Sequence, residues 1–131
     1  MPTRILIADD NEITRTLLTE QLNKHEGWKV CAAVENGEQA VAEATELRPD
    51  LVILDLAMPV MGGLRAAREI AKLPQSIPIL IWTLHDASWL ASEATKAGAR
   101  CVVSKSDAGK LLTAIENLVP NEPRRSGELR S

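Results

Sequence analysis

The sequence contains no phenylalanine and no tyrosine, and its only aromatic side chains are three tryptophans among 131 residues. A core built from this chain must therefore be aliphatic. Cysteine is also scarce, with Cys31 and Cys101 far apart and each inside an apolar run. Buried free thiols are the simplest interpretation, and a disulfide or a metal site is the alternative.

Long hydrophobic runs and a strong excess of either charge are missing too. No apolar stretch approaches the length that spans a bilayer, and we expect no signal peptide because polar residues begin at Asp9. The net charge of -3, from 18 acidic and 15 basic residues, is too balanced for a nucleic-acid surface. The composition predicts a cytoplasmic protein that contacts neither membranes nor nucleic acid.

Short apolar runs alternate along the chain with helical patterns, five of each. The predicted strands are 4–8, 28–34, 50–54, 77–82 and 100–104, and the predicted helices are 11–25, 36–47, 63–72, 87–97 and 106–119. This alternation predicts one α/β domain over residues 1–119, with a parallel sheet covered by helices on both faces. Residues 120–131 carry two prolines and three arginines, and we expect a frayed tail or the start of a linker.

Periodicity also predicts which side chains face the core. The first helix carries an apolar stripe of Ile13, Leu17, Leu18 and Leu22. Ser106 is the expected N-cap of the last helix. Trp28 is expected to pack at the second strand and Trp82 to be half-buried. Trp89 belongs either to the core or to an exposed surface, where it would anchor a partner.

Polar side chains cluster where the predicted strands end. In an open α/β sheet, ligands bind beyond the carboxyl ends of the strands, and the residues there are Asp9, Asp10, Asp55, Thr83 and Lys105. Neighbouring carboxylates repel one another, and a hard cation such as Mg²⁺ relieves that repulsion. An aspartate in this position can attack phosphorus, and a lysine can neutralise the phosphoryl oxygens. Asp9 and Asp10 alone fit a helix cap equally well, so the metal interpretation depends on the whole set.

Four segments in order, "ILIADD", "LVILDLAMPVMGG", "ILIWTLHD" and "VVSK", resemble the receiver domain of two-component response regulators. The resemblance covers roughly residues 3–119. "TLHD", followed later by a lysine with no proline after it, is most similar to receivers of the NarL/LuxR type, which precede a helix-turn-helix domain. The resemblance implies a flavodoxin-like, doubly wound (βα)5 fold with strand order 2-1-3-4-5.

The resemblance also implies a role for each acidic residue. Asp55 would be the phosphoacceptor. Asp10 and Asp55 would ligate Mg²⁺ directly, with the backbone carbonyl of Ala57 as a third ligand. Asp9 would act through water or as a neighbouring charge.

The resemblance further implies how a signal would enter and leave the domain. The donor would be a phosphohistidine on a sensor histidine kinase or a phosphotransfer protein, with acetyl phosphate as a small substitute. Lys105 would pair with the phosphoryl group. Thr83 would move towards it and change the surface of the fourth helix, fifth strand and fifth helix. The chain would thus be a signalling module rather than a metabolic enzyme.

Several positions depart from the family pattern. Val102 stands where the family often has tyrosine or phenylalanine, so a switch based on an aromatic rotamer is excluded. Leu84, in place of a small residue, would narrow the entrance to the site. Ala57 cannot orient an attacking water, and we hypothesise that His85 does so and that the two residues set the lifetime of the phosphorylated state. A His85→Ala variant that loses phosphoryl at an unchanged rate would contradict the part given to the histidine.

Two other functions compete with a phosphorylation switch. A degenerate receiver that acts as a constitutive interaction module is favoured by Val102 and Leu84, whereas the intact acidic set counts against it. A phosphatase with an aspartate nucleophile is disfavoured, because such enzymes usually need a second carboxylate where Ala57 stands. These 131 residues include no helix-turn-helix output domain, and the sequence leaves open whether the chain is a single-domain regulator or the receiver of a longer protein. It also leaves open homodimer formation through the first, fourth or fifth helix.

Overall fold

Strands and helices alternate throughout the computed structural model, which describes residues 2–84 and 88–119. The strands are β1 (Thr3–Ala8), β2 (Trp28–Val34), β3 (Leu51–Asp55), β4 (Ile79–Thr83) and β5 (Cys101–Ser104). The helices are α1 (Glu12–Asn23), α2 (Gly37–Leu47), α3 (Gly63–Ala71), α4 (Ser88–Lys96) and α5 (Ala108–Leu118). All four strand pairings are parallel and the order is β2-β1-β3-β4-β5, so the predicted doubly wound fold is confirmed.

Each predicted element is present, with its ends within two residues of the expected positions. Two of these differences matter for function. Strands β3 and β4 each end one residue later than predicted, so Asp55 and Thr83 are their last residues. Over the described residues, no helix is both long enough and apolar enough to cross a membrane.

The core consists of two mainly aliphatic layers, one on each face of the sheet. Successive side chains of a strand point to opposite faces, so Val52 and Leu54 of β3 join the layer under α2 and α3. Leu51 and Ile53 join the layer under α1 and α5. Every residue of β3 is buried, as expected of a central parallel strand that is covered on both sides.

The predicted stripe of α1 is only half correct. Leu18 and Leu22 are buried, whereas Ile13 is 72% exposed and Leu17 is 60% exposed. Each helical residue turns the side-chain direction by about 100°, so Leu18 and Leu22 share a face while Leu17 lies well to one side of it. The first helix therefore presents two apolar side chains to solvent.

Side chains cap three of the helices. Asn11 accepts a hydrogen bond from the backbone N–H of Thr14 at 2.9 Å, and Asn36 caps α2 in the same way. The prediction of Ser106 as the cap of α5 is wrong, because Asp107 accepts from the N–H of Lys110 at 3.0 Å. The Ser106 hydroxyl instead lies 2.7 Å from the hydroxyl of Ser104.

The two cysteines are free and partly buried. Cys31 is on β2 and Cys101 is on β5, which are the opposite edge strands of the sheet. Burial raises the pKa of both thiols, so each stays protonated at neutral pH. The interpretation as free thiols is confirmed.

The three tryptophans occupy different environments. Trp28 is 8% exposed and stacks on the His25 ring, with ring centroids 3.5 Å apart. Trp82 is also 8% exposed, so the prediction that it is half-buried is wrong. Trp89, on α4, is 56% exposed and lies outside both core layers.

This contrast predicts unequal effects of two tryptophan truncations. Trp28→Ala is expected to lower the free energy of unfolding by about 3 kcal/mol, because it empties a packed site. Trp89→Ala is expected to change it by less than about 0.5 kcal/mol, because the side chain is largely solvated. Urea unfolding of both variants measures the difference, and equal losses would contradict the assignment of Trp89 to the surface.

Candidate functional site

Three neighbouring strands bring polar side chains to the carboxyl edge of the sheet. Asp9 follows β1, while Asp55 ends β3 and Thr83 ends β4. The strand order reverses between β1 and β3, because the connections that follow these two strands lead towards opposite edges of the sheet. A crevice forms at such a reversal. The cleft there has a volume of about 500 Å³ and is lined by Asp10, Asn11, Thr14, Asp55, Ala57, Trp82, Thr83, Leu84 and Lys105.

Three carboxylates form the centre of the site. Asp9, Asp10 and Asp55 each offer an oxygen atom, and these three atoms all lie within 4.8 Å of one another. Asp9 is fully buried and Asp55 is 7% exposed, whereas Asp10 is exposed. Such an all-oxygen, largely anionic donor set has the chemistry that a hard divalent cation prefers.

Asp9 is held by contacts from four directions. Its Oδ1 accepts from the N–H of Asn11 at 2.9 Å, and its Oδ2 accepts from Lys105 Nζ at 2.8 Å. Its backbone carbonyl accepts from Arg15 Nη1 at 2.7 Å, and its N–H donates to the carbonyl of Val34 at 3.0 Å. The Asp9 side chain and backbone are thus held in a fixed position inside the site.

Lys105 connects two of the carboxylates. Its Nζ lies 2.8 Å from Asp9 Oδ2 and 3.3 Å from Asp55 Oδ1, and its side chain is only 11% exposed. Its backbone N–H donates to the carbonyl of Thr83 at 2.8 Å, which fixes the loop after β5 to the end of β4. The side-chain contacts of Lys105 and its backbone hydrogen bond together place the ammonium group beside the Asp55 carboxylate.

Asp55 holds its proton more tightly than an ordinary aspartate. Burial, helped by the nearby Asp9 and Asp10 carboxylates, raises the pKa of Asp55 to about 6, against the opposing effect of Lys105. The Lys105 ammonium lowers the pKa of Asp55 by less than burial and the two neighbouring carboxylates together raise it. A bound divalent cation would favour the ionised form of Asp55.

The loop between β3 and α3 is fixed by backbone hydrogen bonds. The N–H of Gly63 donates to the carbonyl of Leu56 at 2.8 Å, and the N–H of Gly37 donates to that of Met61 at 2.8 Å. Val60 has a φ of 68°, a left-handed conformation that is strained for a β-branched residue, and its side chain is 71% exposed. Strain of this kind persists only where the surrounding structure holds it in place.

The structure brings together Asp10, Asp55, Thr83 and Lys105, all four of which the sequence had placed in one site. Thr83 is 1% exposed, and Leu84, beside it at the cleft, is 76% exposed. Val102 is partly buried and packs against the layer under α2 and α3 rather than against the cleft. His85 and residues 120–131 lie outside the described part of the chain.

Trp82 belongs to the site, although the sequence pattern did not predict it there. Lys105 Nζ lies 5.2 Å from the centroid of the Trp82 ring, within the range of a cation–π contact. The available signal was the position of Trp82 directly before Thr83, at the end of a strand that reaches the cleft. Arg15, which holds the Asp9 carbonyl from α1, had no comparable signal in the sequence.

The sequence matches one protein family over most of its length. A family model described as the response regulator receiver domain matches residues 5–116. The chemotaxis protein CheY of Thermotoga maritima is 35% identical over 105 residues, which are 80% of this chain and 87% of that protein. Other curated relatives are longer, and the chain spans 48% of one and 25% of another.

Solved structures share the fold closely. A two-component response regulator of the LuxR family from Aurantimonas sp. SI85-9A1 superposes with a TM-score of 0.86 at 34% identity, over 97% of this chain and 90% of that one. The CheX–CheY–BeF3–Mg²⁺ complex from Borrelia burgdorferi gives a TM-score of 0.82 at 25% identity, over 89% of each chain. The expected likeness to receivers of the LuxR type is confirmed.

Proposed function

Because this chain belongs to the response regulator receiver domain family of two-component systems, we propose that it is a phosphorylation-dependent switch whose phosphoacceptor is Asp55. The observation that carries the proposal is the position of Asp55 in the cleft, with Asp9 and Asp10 oxygens within 4.8 Å and Lys105 Nζ at 3.3 Å. The donor is a phosphohistidine on a sensor histidine kinase or a phosphotransfer protein.

The chemistry is a single phosphoryl transfer. One Asp55 oxygen forms a bond to phosphorus while the P–N bond of the phosphohistidine breaks, and the electron pair of that bond remains on the imidazole. The attacking group must be ionised, and the pKa of about 6 leaves Asp55 mostly ionised at neutral and higher pH. Lys105 offsets negative charge on the phosphoryl oxygens, which is the main task of a protein in this reaction.

Mg²⁺ is the proposed cofactor. Asp10, Asp55 and the backbone carbonyl of Ala57 would hold it, and Asp9 would act as a neighbouring charge that keeps Lys105 in place. When bound, Mg²⁺ neutralises negative charge where the phosphoryl group arrives. The all-oxygen donor set supports this assignment, as does the related CheY complex that contains BeF3 and Mg²⁺.

Exposed apolar side chains on α1 and at the cleft suit a docking partner. Ile13 and Leu17 lie one turn apart on α1, whose first turn contributes Thr14 to the cleft, and Leu84 is exposed at the cleft itself. These side chains would contact the protein that delivers the phosphoryl group. Their exposure has no role in the fold, because neither core layer includes them.

The proposed receiver unit comprises residues 1–119, and residues 120–131 form a tail or linker. The burial of Val119 directly after α5 supports this boundary. A fragment of residues 1–119 should unfold at the same urea concentration as the whole chain, and a clear loss of stability would place part of the fold in the tail.

Intact-mass measurement tests the switch. The protein is incubated with acetyl phosphate and Mg²⁺, beside an Asp55→Ala control and a sample without Mg²⁺. We expect one added phosphoryl group on the native chain with Mg²⁺ and none on either control. A Leu84→Ala variant, which opens the cleft, separates slow entry of the donor from an inactive site.

A degenerate receiver, which acts as a constitutive interaction module, is the second candidate. The aliphatic Val102 favours it, because that side chain packs in the layer under α2 and α3 and has no aromatic ring to move. Failure of both the native protein and Leu84→Ala to gain a phosphoryl group would support this candidate and contradict the switch.

A further inference from the structure

Trp82 is an unusual choice for its place in the core. It lies among aliphatic side chains in the layer under α1 and α5. Its indole Nε1 is buried and has no hydrogen-bond partner within residues 2–84 and 88–119. A buried donor without a partner costs stability, and the aliphatic side chains that make up most of this layer carry no such donor. Packing alone therefore does not account for the indole.

What the indole provides is a ring face beneath Lys105. We propose that Trp82 is a positioning residue, which holds the Lys105 ammonium at the place where it meets Asp55 and the incoming phosphoryl group. The inference rests on the proposed function, because Lys105 has this task only if Asp55 accepts a phosphoryl group. Its basis is the 5.2 Å separation of Lys105 Nζ from the ring centroid.

A lysine needs such a restraint more than other cations do. Its charge is a compact ammonium on a flexible stem of four carbons. Asp9 Oδ2 at 2.8 Å and Asp55 Oδ1 at 3.3 Å attract the ammonium, and the ring face adds a third contact. Since the Lys105 side chain is only 11% exposed, little water competes, and cation–π attraction is stronger in such a desolvated place.

The backbone fixes the ring relative to both partners. Trp82 is paired with Asp55 on β3 and with Val103 on β5, and the N–H of Lys105 donates to the carbonyl of Thr83 next to it. A π face attracts a cation without requiring one hydrogen-bond direction. The ammonium can therefore shift from a carboxylate oxygen to a phosphoryl oxygen while it keeps contact with the ring.

The contact itself is tested by urea unfolding, without Mg²⁺ or a phosphodonor. Trp82→Leu and Trp82→Phe are made in the native chain and in a Lys105→Met background. We expect Trp82→Leu to lower the unfolding midpoint more when Lys105 is present, and Trp82→Phe, which keeps a ring face, to show the smaller dependence on Lys105. Equal shifts in both backgrounds would overturn the proposal. Trp82→Met replaces the leucine variant if that variant does not fold.

The positioning role is tested by the rate of phosphoryl uptake from acetyl phosphate with Mg²⁺. Trp82→Leu is expected to slow uptake about threefold to tenfold, and Trp82→Phe to stay within about twofold of the native rate. The positioning role would be overturned if Trp82→Leu took up the phosphoryl group at the native rate, or if both variants were slowed equally. If the native chain takes up no phosphoryl group, the proposed function fails, and the unfolding measurements still decide whether Trp82 holds Lys105.

Discussion

Asp55→Asn is expected to abolish phosphoryl uptake and, without Mg²⁺, to raise the free energy of unfolding at pH 8 by about 2 kcal/mol. The site loses its proposed nucleophile, and it also loses a carboxylate whose ionised form is disfavoured by burial. The pKa of Asp55 is about 6 in the folded protein, above the value of about 3.9 for an unfolded aspartate. Folding therefore favours the protonated form of this residue.

The sign of the pH dependence follows from that shift. The stability that protonated Asp55 contributes is complete below about pH 4 and is lost as the pH rises through about 6. The advantage of Asp55→Asn should be largest at pH 8, decline below pH 6 and vanish near pH 4. Urea unfolding at these three pH values measures it, and an advantage that does not change with pH would contradict the assigned cause.

Asp10→Asn provides a matched control for this prediction. Asp10 belongs to the same carboxylate cluster but is exposed, so its charge is less costly to the folded state. We expect a smaller gain in stability from this substitution. Both variants should gain less stability than the native chain when Mg²⁺ is added, because each lacks one proposed ligand.

Gly63→Ala is expected to lower the free energy of unfolding by about 2–3 kcal/mol and to slow phosphoryl uptake. A Cβ atom at this position would lie 3.0 Å from the carbonyl carbon of Asp55 and 3.1 Å from the Cα of Leu56, and it would overlap the Asp55 carbonyl oxygen. These are backbone atoms and cannot rotate away. The end of β3, which carries the proposed phosphoacceptor, would have to move.

Gly109→Ala is the control for the glycine prediction. Gly109 lies in α5, and a Cβ atom there would meet only Asp107 Oδ1, at an ordinary distance of 3.5 Å. Alanine is the better helix former, so stability should stay constant or rise by up to about 1 kcal/mol. Urea unfolding and uptake from acetyl phosphate are measured for both variants. A tolerated Gly63→Ala would mean that the loop after β3 is not tightly packed.

The elements of the fold could be predicted because strands and helices carry different hydrophobic periods. The apolar run at residues 51–54 of β3 could be recognised in the sequence because all of these positions are buried. The same holds for Leu18 and Leu22 of α1. The prediction that Ile13 and Leu17 face the core is wrong, because an exposed apolar side chain looks the same in sequence as one that packs inside. The strand order came from the family resemblance, since alternation alone does not determine it.

The residues of the site could be predicted, but their contacts could not. Strand ends place Asp55, Thr83 and Lys105 at one edge whatever their side-chain conformations are. The pairing of Lys105 with Asp9, and its contact with Trp82, depend on rotamers and on the twist that brings three strand ends together. Similarly, Asp107 rather than Ser106 caps α5 because the helix begins two residues later than the pattern indicated.

The lack of tyrosine and phenylalanine has an optical consequence. All near-ultraviolet absorption and emission from the side-chain rings of this protein arises from three indoles, and these have unlike surroundings. Trp89 is largely solvated and should emit at the longest wavelength, while Trp28 lies against an imidazole that can quench it. Trp82 lies beneath the ammonium of Lys105, so its emission should report the charge state of the site without any label. With Trp28 and Trp89 replaced by leucine, Trp82 would be the sole emitter.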